Sequence, residues 1–163
     1  SNPQPRAAPA PLPPNPLTEI RPGKGDHEAA LYMVGGAMGG PFTARYDGRE
    51  MAPRELAANG RAWAFNGMAE MPDAPLVSTR PGETVQIDLR NDTGWPHAMH
   101  LHGHHFRQLA NDGGLGPWRD TLLMQPRAAA RIVFVADNPG KWLFHCHMLE
   151  HSASGMMTWI EVG

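Results

Sequence analysis

Hydrophobic and polar residues alternate along residues 83–91, ETVQIDLRN. Val85, Ile87 and Leu89 lie on one side of an extended chain, and the polar residues between them lie on the other. Alternation with a period of two residues is typical of a strand that packs one face on a core. The pattern therefore predicts a half-buried strand in this segment.

Residues 130–137, ARIVFVAD, form a β-branched run that predicts a buried strand, and Asn-Pro-Gly favours a tight turn directly after it. Further strands are predicted at residues 31–34, 42–46, 61–67, 141–148 and 156–162. The one helix predicted is PRELAANG, residues 53–60, which has proline in its first turn and glycine at its end. Many short strands separated by turn residues favour an all-β fold, an antiparallel Greek-key β-sandwich or barrel with short helical segments.

Composition limits the classes of protein that the chain can represent. Its 163 residues suffice for one domain with a core, and its net charge of −2 argues against a nucleic-acid or anionic-membrane surface. The sequence contains no apolar run long enough to span a bilayer. Residues 1–16 contain seven of the 17 prolines and predict an extended linker or tail before a domain at residues 17–163. The chain lacks a signal-peptide pattern at its start, so an exported protein is expected to carry its signal elsewhere or to have lost it.

Eight of the nine histidines fall within two short windows, residues 97–105 and 145–151. His100 and His102 are two residues apart, so an extended strand places both on one face. His145 and His147 repeat this spacing around the only cysteine, Cys146, which must then point to the opposite face. Thiolate and imidazole are preferred ligands of transition metals. This strand is therefore predicted to connect two metal sites.

The thiolate site requires further ligands. His151 follows Cys146 by five residues, Met156 follows it by ten, and His97 from the first window can complete the set. Two imidazoles, one thiolate and a weak axial thioether form the blue-copper site of electron-transfer proteins. Met157 competes with Met156 for the axial position, but it begins a predicted strand and is expected to pack in the core.

The segments HAMHLHGHHF and HCHMLEHSASGMM resemble the two copper-binding signatures in the C-terminal cupredoxin domain of multicopper oxidases, the family of laccases and copper-resistance oxidases. The segments AWAFNG, VQIDLRND and WRDTLLM are also similar to that domain, so the resemblance covers roughly residues 30–163. It implies a cupredoxin-type sandwich. In two places the chain departs from the family pattern: proline precedes the first histidine of the first signature, and SAS replaces an acidic pair after His151.

The resemblance implies the ligands of four copper ions. The type 1 ligands would be His97, Cys146, His151 and Met156. His100 would bind type 2 copper, and the binuclear type 3 pair would be bound by His102, His145 and His147. Electrons from a phenol, an aromatic amine, Cu(I) or Fe(II) would enter at His151 and pass through Cys146 to His145 and His147. At the three-copper cluster, four electrons would reduce O₂ to two waters. Because SAS stands after His151, a carboxylate proton relay at this place is not carried over from the family pattern.

The family's trinuclear cluster requires four His-x-His pairs, and this chain supplies two of them. His104 is expected to share the strand face of His100 and His102, but together with His27 and His105 it does not provide two more pairs. The resemblance therefore implies a partner, another polypeptide whose cupredoxin domain supplies two His-x-His pairs. By analogy with bacterial relatives, the expected location is the periplasm or the extracellular space.

Two alternatives remain open at the level of sequence. A standalone cupredoxin that only transfers electrons would explain the type 1 ligands, but it would leave His100, His102, His145 and His147 without a role. A copper storage or delivery protein would explain the ten methionines, because thioethers suit Cu(I). Packing in the core is the simpler explanation for most of these methionines.

Overall fold

A computed structural model describes residues 10–13, 16–20, 25–38 and 40–163, and the elements of this part of the chain are mainly strands. The strands before the second histidine window are β1 His27–Gly35, β2 Ala44–Tyr46, β3 Arg49–Met51, β4 Trp63–Phe65, β5 Val77–Thr79, β6 Thr84–Asn91, β7 His97–Leu101, β8 Phe106–Leu109, β9 Leu115–Arg119, β10 Thr121–Met124 and β11 Ala129–Val135. The last two strands are β12 Gly140–Cys146 and β13 Met157–Val162, and the helices are α1 Pro53–Ala58 and α2 Leu149–Ala153.

Two sheets pack face to face around one core. The first has the strand order β4-β1-β6-β11-β8-β9 and the second has the order β10-β7-β12-β13-β5, while β2 and β3 form a separate hairpin. Ile87 and Phe134 of the first sheet lie in the same buried cluster as Met99, Phe144 and Ile160 of the second. The predicted all-β sandwich is thereby confirmed. Its pairing is mixed, because β1 runs parallel to β6 and β13 runs parallel to β5.

Residues 84–91 form strand β6, as predicted. Val85, Ile87 and Leu89 are buried and Asp88 and Arg90 are exposed, but Gln86, which was predicted on the polar face, is buried. The predicted helix at residues 53–60 is α1, which begins at Pro53, and its Leu56 packs in a second small core under the β2–β3 hairpin. The predictions at residues 130–137, 141–148 and 156–162 correspond to β11, β12 and β13.

In addition to the mixed strand pairing, three features of the fold differ from the sequence predictions. A second helix, α2, carries His151 between β12 and β13. The first histidine window is not one extended strand, because β7 ends at Leu101 and the chain turns at Gly103, which has a φ of 73°. His104 consequently points into the core against Phe134 and does not share the face of His100 and His102.

The limits of the domain stay a prediction. Most of residues 1–16 lie outside the described residues. Ile20 is buried against Val133 and Val135 on the outer side of the first sheet, so the described segment 16–20 packs on the sandwich. Within the described residues, no helix has the length and apolar character needed to cross a bilayer.

Candidate functional site

Strands β7 and β12 lie side by side in the second sheet and carry both histidine windows. Their register pairs His145 with His100 and Cys146 with Met99. Met99 and Cys146 are both completely buried in the core between the sheets. Because side chains alternate along a strand, His145 and His100 point away from that core. The two faces of the β7–β12 pair therefore carry two separate groups of potential ligands.

The inner group consists of His97, Cys146 and His151, whose potential ligand atoms all lie within 4.8 Å of one another. Cys146 Sγ is 3.9 Å from His97 Nδ1 and 3.7 Å from His151 Nδ1, and the two Nδ1 atoms are 3.1 Å apart. A planar three-ligand site with metal–ligand bonds of about 2.0–2.3 Å has ligand–ligand distances of roughly 3.5–3.7 Å. The measured distances lie within about 0.4 Å of this range, so small adjustments of the side chains would let them bind one transition-metal ion. Imidazole together with thiolate is a ligand set that suits copper.

Burial sets the protonation of the inner group. It is the main reason why the pKa of His97 is lowered to about 4, and the charge of a protonated His151 lowers it further. Burial also lowers the pKa of His151, while it raises the pKa of the Cys146 thiol. The imidazoles thus offer free lone pairs at neutral pH, whereas binding of a metal must displace the thiol proton.

The loop from β12 to β13 holds His151 near Cys146. Helix α2 begins after Met148, and the backbone N–H of Met156 donates to the carbonyl of His151 at 3.0 Å. The backbone N–H of Cys146 donates to the carbonyl of Met156 at 3.1 Å, and the Met156 side chain is buried in the main core. Met157 was expected to pack in the core, but it is partly exposed because β13 buries the alternate residues that follow it.

Trp63 is a contact of this site that the sequence did not indicate. Its ring centroid lies 4.9 Å from that of His97 and 4.7 Å from that of His151. Its backbone N–H donates to the carbonyl of Ser154, in the loop that carries His151. Gly155 fits against the Trp63 carbonyl, since an added Cβ would lie 2.1 Å from that oxygen. Strand β4 of the first sheet therefore supports both imidazoles and their loop.

The outer group consists of His100, His102, His145 and His147. The ring centroid of His100 lies 4.6 Å from that of His102, 5.8 Å from that of His145 and 5.2 Å from that of His147. The Nε2 atoms of His102 and His145 are 3.0 Å apart. The structure thus brings together all four histidines predicted for this group.

Hydrogen bonds orient two of the outer rings. His145 Nδ1 donates to the carbonyl of Cys146 at 2.9 Å, and His100 Nδ1 donates to the carbonyl of Asp120 at the same distance. A carbonyl can only accept, so the Nε2 atom of each neutral ring keeps its lone pair. Burial is the main cause that lowers the pKa of His102 and His145. Hydrogen bonds from one ring nitrogen to a backbone carbonyl, as in His100 and His145, are typical of histidines that bind metal ions.

The other three histidines lie outside both groups. His27 bonds to Glu83 at 2.7 Å, and His105 is exposed. His104 is buried between Phe134 and Trp142, and burial lowers its pKa. These surroundings identify His104 as a core residue.

Gly103 allows the turn that separates His102 from His104. Besides its positive φ, it lies against the ring of Trp142, where an added Cβ would come within 2.3 Å of ring carbons. We expect Gly103→Ala to lower the free energy of unfolding by about 2 kcal/mol through strain and overpacking. Chemical denaturation can measure this, and Gly113→Ala is a control because it has a similar φ but no atom near its Cβ position. Equal losses in the two variants would contradict a specific contact with Trp142.

Comparison with known proteins agrees with this geometry. The family described as "Multicopper oxidase" matches residues 45–163. Multicopper oxidase MmcO of Mycobacterium tuberculosis is 38% identical over 99 residues, covering 61% of this chain and 19% of that protein. Copper resistance protein A of Pseudomonas syringae pv. tomato is 36% identical over 121 residues, covering 71% of this chain and 20% of that protein. The chain thus spans about a fifth of the length of these relatives.

Solved structures are also similar to this chain. Lac15 from a marine microbial metagenome is 37% identical with a TM-score of 0.62, covering 99% of this chain and 32% of that one. A multi-copper oxidase from Pseudomonas thermotolerans is 26% identical with a TM-score of 0.70, covering 100% of this chain and 36% of that one. The sandwich, its clustered histidines and the family match over residues 45–163 lead to one conclusion: this chain belongs to the multicopper oxidase family.

Proposed function

We propose that this chain is the part of a multicopper oxidase that carries the type 1 copper site and half of a trinuclear copper cluster. The type 1 ligands would be His97, Cys146, His151 and Met156. His100 would bind type 2 copper, and His102, His145 and His147 would bind the type 3 pair. The whole protein would couple one-electron oxidation of a reducing substrate to the reduction of O₂ to water.

The observation that supports this proposal most strongly is the two-sided use of strand β12. Cys146 points inward to His97 and His151, while its neighbours His145 and His147 point outward to His100. Copper bound at both places would supply one-electron redox chemistry. Three consecutive residues then join the two sites by covalent bonds, so no mobile carrier is required between them.

The chain's own side chains decide where a reductant approaches. His97 and Cys146 are completely buried, whereas His151 is partly exposed. Trp63 packs against both imidazoles. The exposed edge of His151 is therefore the place where we expect a reductant to make contact. A phenol, an aromatic amine, Cu(I) or Fe(II) would each deliver one electron there.

The other half of the cluster would come from a second cupredoxin domain that supplies two His-x-His pairs, in a partner polypeptide or in the remainder of a longer one. Its docking place would be the outer face of β7 and β12, where His102 and His147 are exposed. Leu123 of the adjacent strand β10 is 53% exposed and would be covered by the same contact. We propose a periplasmic or extracellular location for the assembled enzyme.

Copper content and oxygen consumption test this function together. The assembled protein should hold four copper ions per active unit and should consume O₂ with a phenol, Cu(I) or Fe(II) as the electron donor. Comparing the three donors at equal concentration shows which class of reductant the protein oxidises fastest. If the protein still binds a single copper ion and consumes no O₂ when the second domain is present, it would instead be an electron-transfer cupredoxin.

The axial position of the type 1 site gives a separate prediction. Met156→Leu should keep the blue colour but raise the reduction potential, because a lost weak donor destabilises Cu(II) more than Cu(I). Met157→Leu is the matched control, because Met157 is partly exposed on the outer side of β13. In this variant the reduction potential of the copper site should not change. Redox titration of the blue band measures both. If only the Met157 variant shifted the reduction potential, the thioether ligand would be Met157 and not Met156.

A further inference from the structure

Asn91 and Thr93 form a completely buried polar pair beside the inner group, outside the predicted ligands. Asn91 Nδ2 lies 2.7 Å from the carbonyl of Trp95 and 2.9 Å from the carbonyl of Gln125. Only the NH₂ side of an amide can donate to carbonyl oxygens, so these contacts fix the orientation of the Asn91 amide. The other amide atom, Oδ1, is therefore an oxygen that can only accept.

The oxygen of Asn91 determines the direction of the Thr93 hydroxyl. Thr93 Oγ1 lies 2.7 Å from Asn91 Oδ1, and the backbone N–H of Thr93 donates to the same oxygen at 3.0 Å. Two oxygens at this distance require a proton between them, and the amide oxygen has none to give. The Thr93 hydroxyl therefore donates its single proton to Asn91. The carbonyl of Trp95, at 3.1 Å, is a second acceptor within reach, and a proton directed to either oxygen is directed away from His97.

A hydroxyl whose proton is directed to one of these two oxygens can only accept from nitrogen neighbours, as it does from the backbone N–H of Trp95 at 3.1 Å. His97 Nε2 lies 2.8 Å from Thr93 Oγ1, and both residues are completely buried. His97 Nε2 must then carry the proton. In the neutral ring, the lone pair consequently lies on Nδ1, the atom that faces Cys146 and His151.

We propose that Thr93, held by Asn91, is a positioning residue that fixes the tautomer and the ring orientation of His97 before any metal is bound. The consequence for copper rests on the proposed function: a ring already in the binding tautomer avoids the cost of a tautomer change and of reorientation. Hydrogen bonds of this kind to metal-binding histidines typically contribute about 10- to 100-fold in affinity or activity.

The first experiment requires no metal. In the ¹⁵N-labelled, metal-free chain, the nitrogen shifts and couplings of the His97 ring report which nitrogen carries the proton. We expect the Nε2–H form in the unmodified chain and in Thr93→Ser, which keeps the hydroxyl. Thr93→Val has the same shape without an acceptor, so its His97 ring should lose this single preferred form. An Nδ1–H form in the unmodified chain, or an unchanged Nε2–H form in Thr93→Val, would overturn the inference.

The second experiment measures copper in the same variants. Thr93→Val should weaken Cu(II) binding at the blue site about 10- to 100-fold and shift its reduction potential, and Thr93→Ser should restore both. Thr79→Val is the matched control, because Thr79 is also buried but bonds Glu83 at 3.0 Å. This control should lose stability without a change at the copper site.

The two experiments separate the inference from the proposed function. If the unmodified chain bound no copper, the proposed function would fail while the tautomer measurement still decided the role of Thr93. If copper bound with equal affinity and potential in all three Thr93 forms, the positioning role would fail while the copper site stood. Should Thr93→Val not fold, the tautomer of the unmodified chain and of Thr93→Ser decides.

Discussion

In the assembled protein, replacement of Cys146 by serine should remove the blue colour and stop substrate oxidation, while the protein remains folded. A hydroxyl at this position gives neither the soft thiolate bond nor the connection from the inner group to His145 and His147. Cys146 is completely buried and faces two imidazoles, so the variant leaves His97 and His151 in place without their thiolate partner. We expect oxidase turnover to fall below detection.

Visible absorption, electron paramagnetic resonance and oxygen consumption measure this loss. Met124→Leu is a suitable control, because Met124 is buried on the strand beside β7, paired with His97, and leucine conserves its volume. This control should stay blue and active. A Cys146→Ser protein that keeps the intense blue band would exclude Cys146 as the ligand.

The 163-residue chain produced alone should bind copper at the inner group and turn blue, but it should not reduce O₂ to water. The outer group holds two His-x-His pairs, and no second set of such pairs stands beside them in the described part of the chain. The expected oxidase activity is therefore absent until a second cupredoxin domain is added. Copper analysis together with an oxygen electrode checks this outcome.

Two variants of the isolated chain distinguish the groups. His100→Ala changes the outer group and should leave the blue band intact, whereas His97→Ala changes the inner group and should remove it. Light scattering must verify that the tested protein is a monomer. A monomer with four copper ions and full oxidase activity would contradict the need for a second domain.

Sequence patterns predicted the central strands and the two-sided arrangement of β12, because alternation along a strand is a local property. The i, i+2 spacing of His145 and His147 around Cys146 was enough to assign opposite faces, and the register with β7 agrees. Short helix α2 was not predicted, since five residues carry too little periodicity. The position of His104 was also missed, because a single positive-φ glycine redirected the chain.

The long-range contacts of the site were the part that the sequence predicted least well. Trp63 comes from the other sheet and meets His97 only after the sandwich has closed. Thr93 lies four residues before His97, but its role depends on the amide of Asn91. That amide is held by the carbonyls of Trp95 and of Gln125, and Gln125 follows β10. Neither residue type signals metal chemistry by itself, so their role becomes visible only in three dimensions.

The two faces of β12 also limit how this region can change during evolution. Its neighbours β7 and β13 fix its register on both sides. Deletion of one residue between Gly140 and His145 would turn Cys146 outward and both adjacent histidines into the apolar core. Such a deletion would abolish both ligand groups in one event, and no single later substitution could restore either. The length of this strand is therefore expected to tolerate no insertions or deletions, even in descendants that acquire new reductants through changes in the surrounding loops.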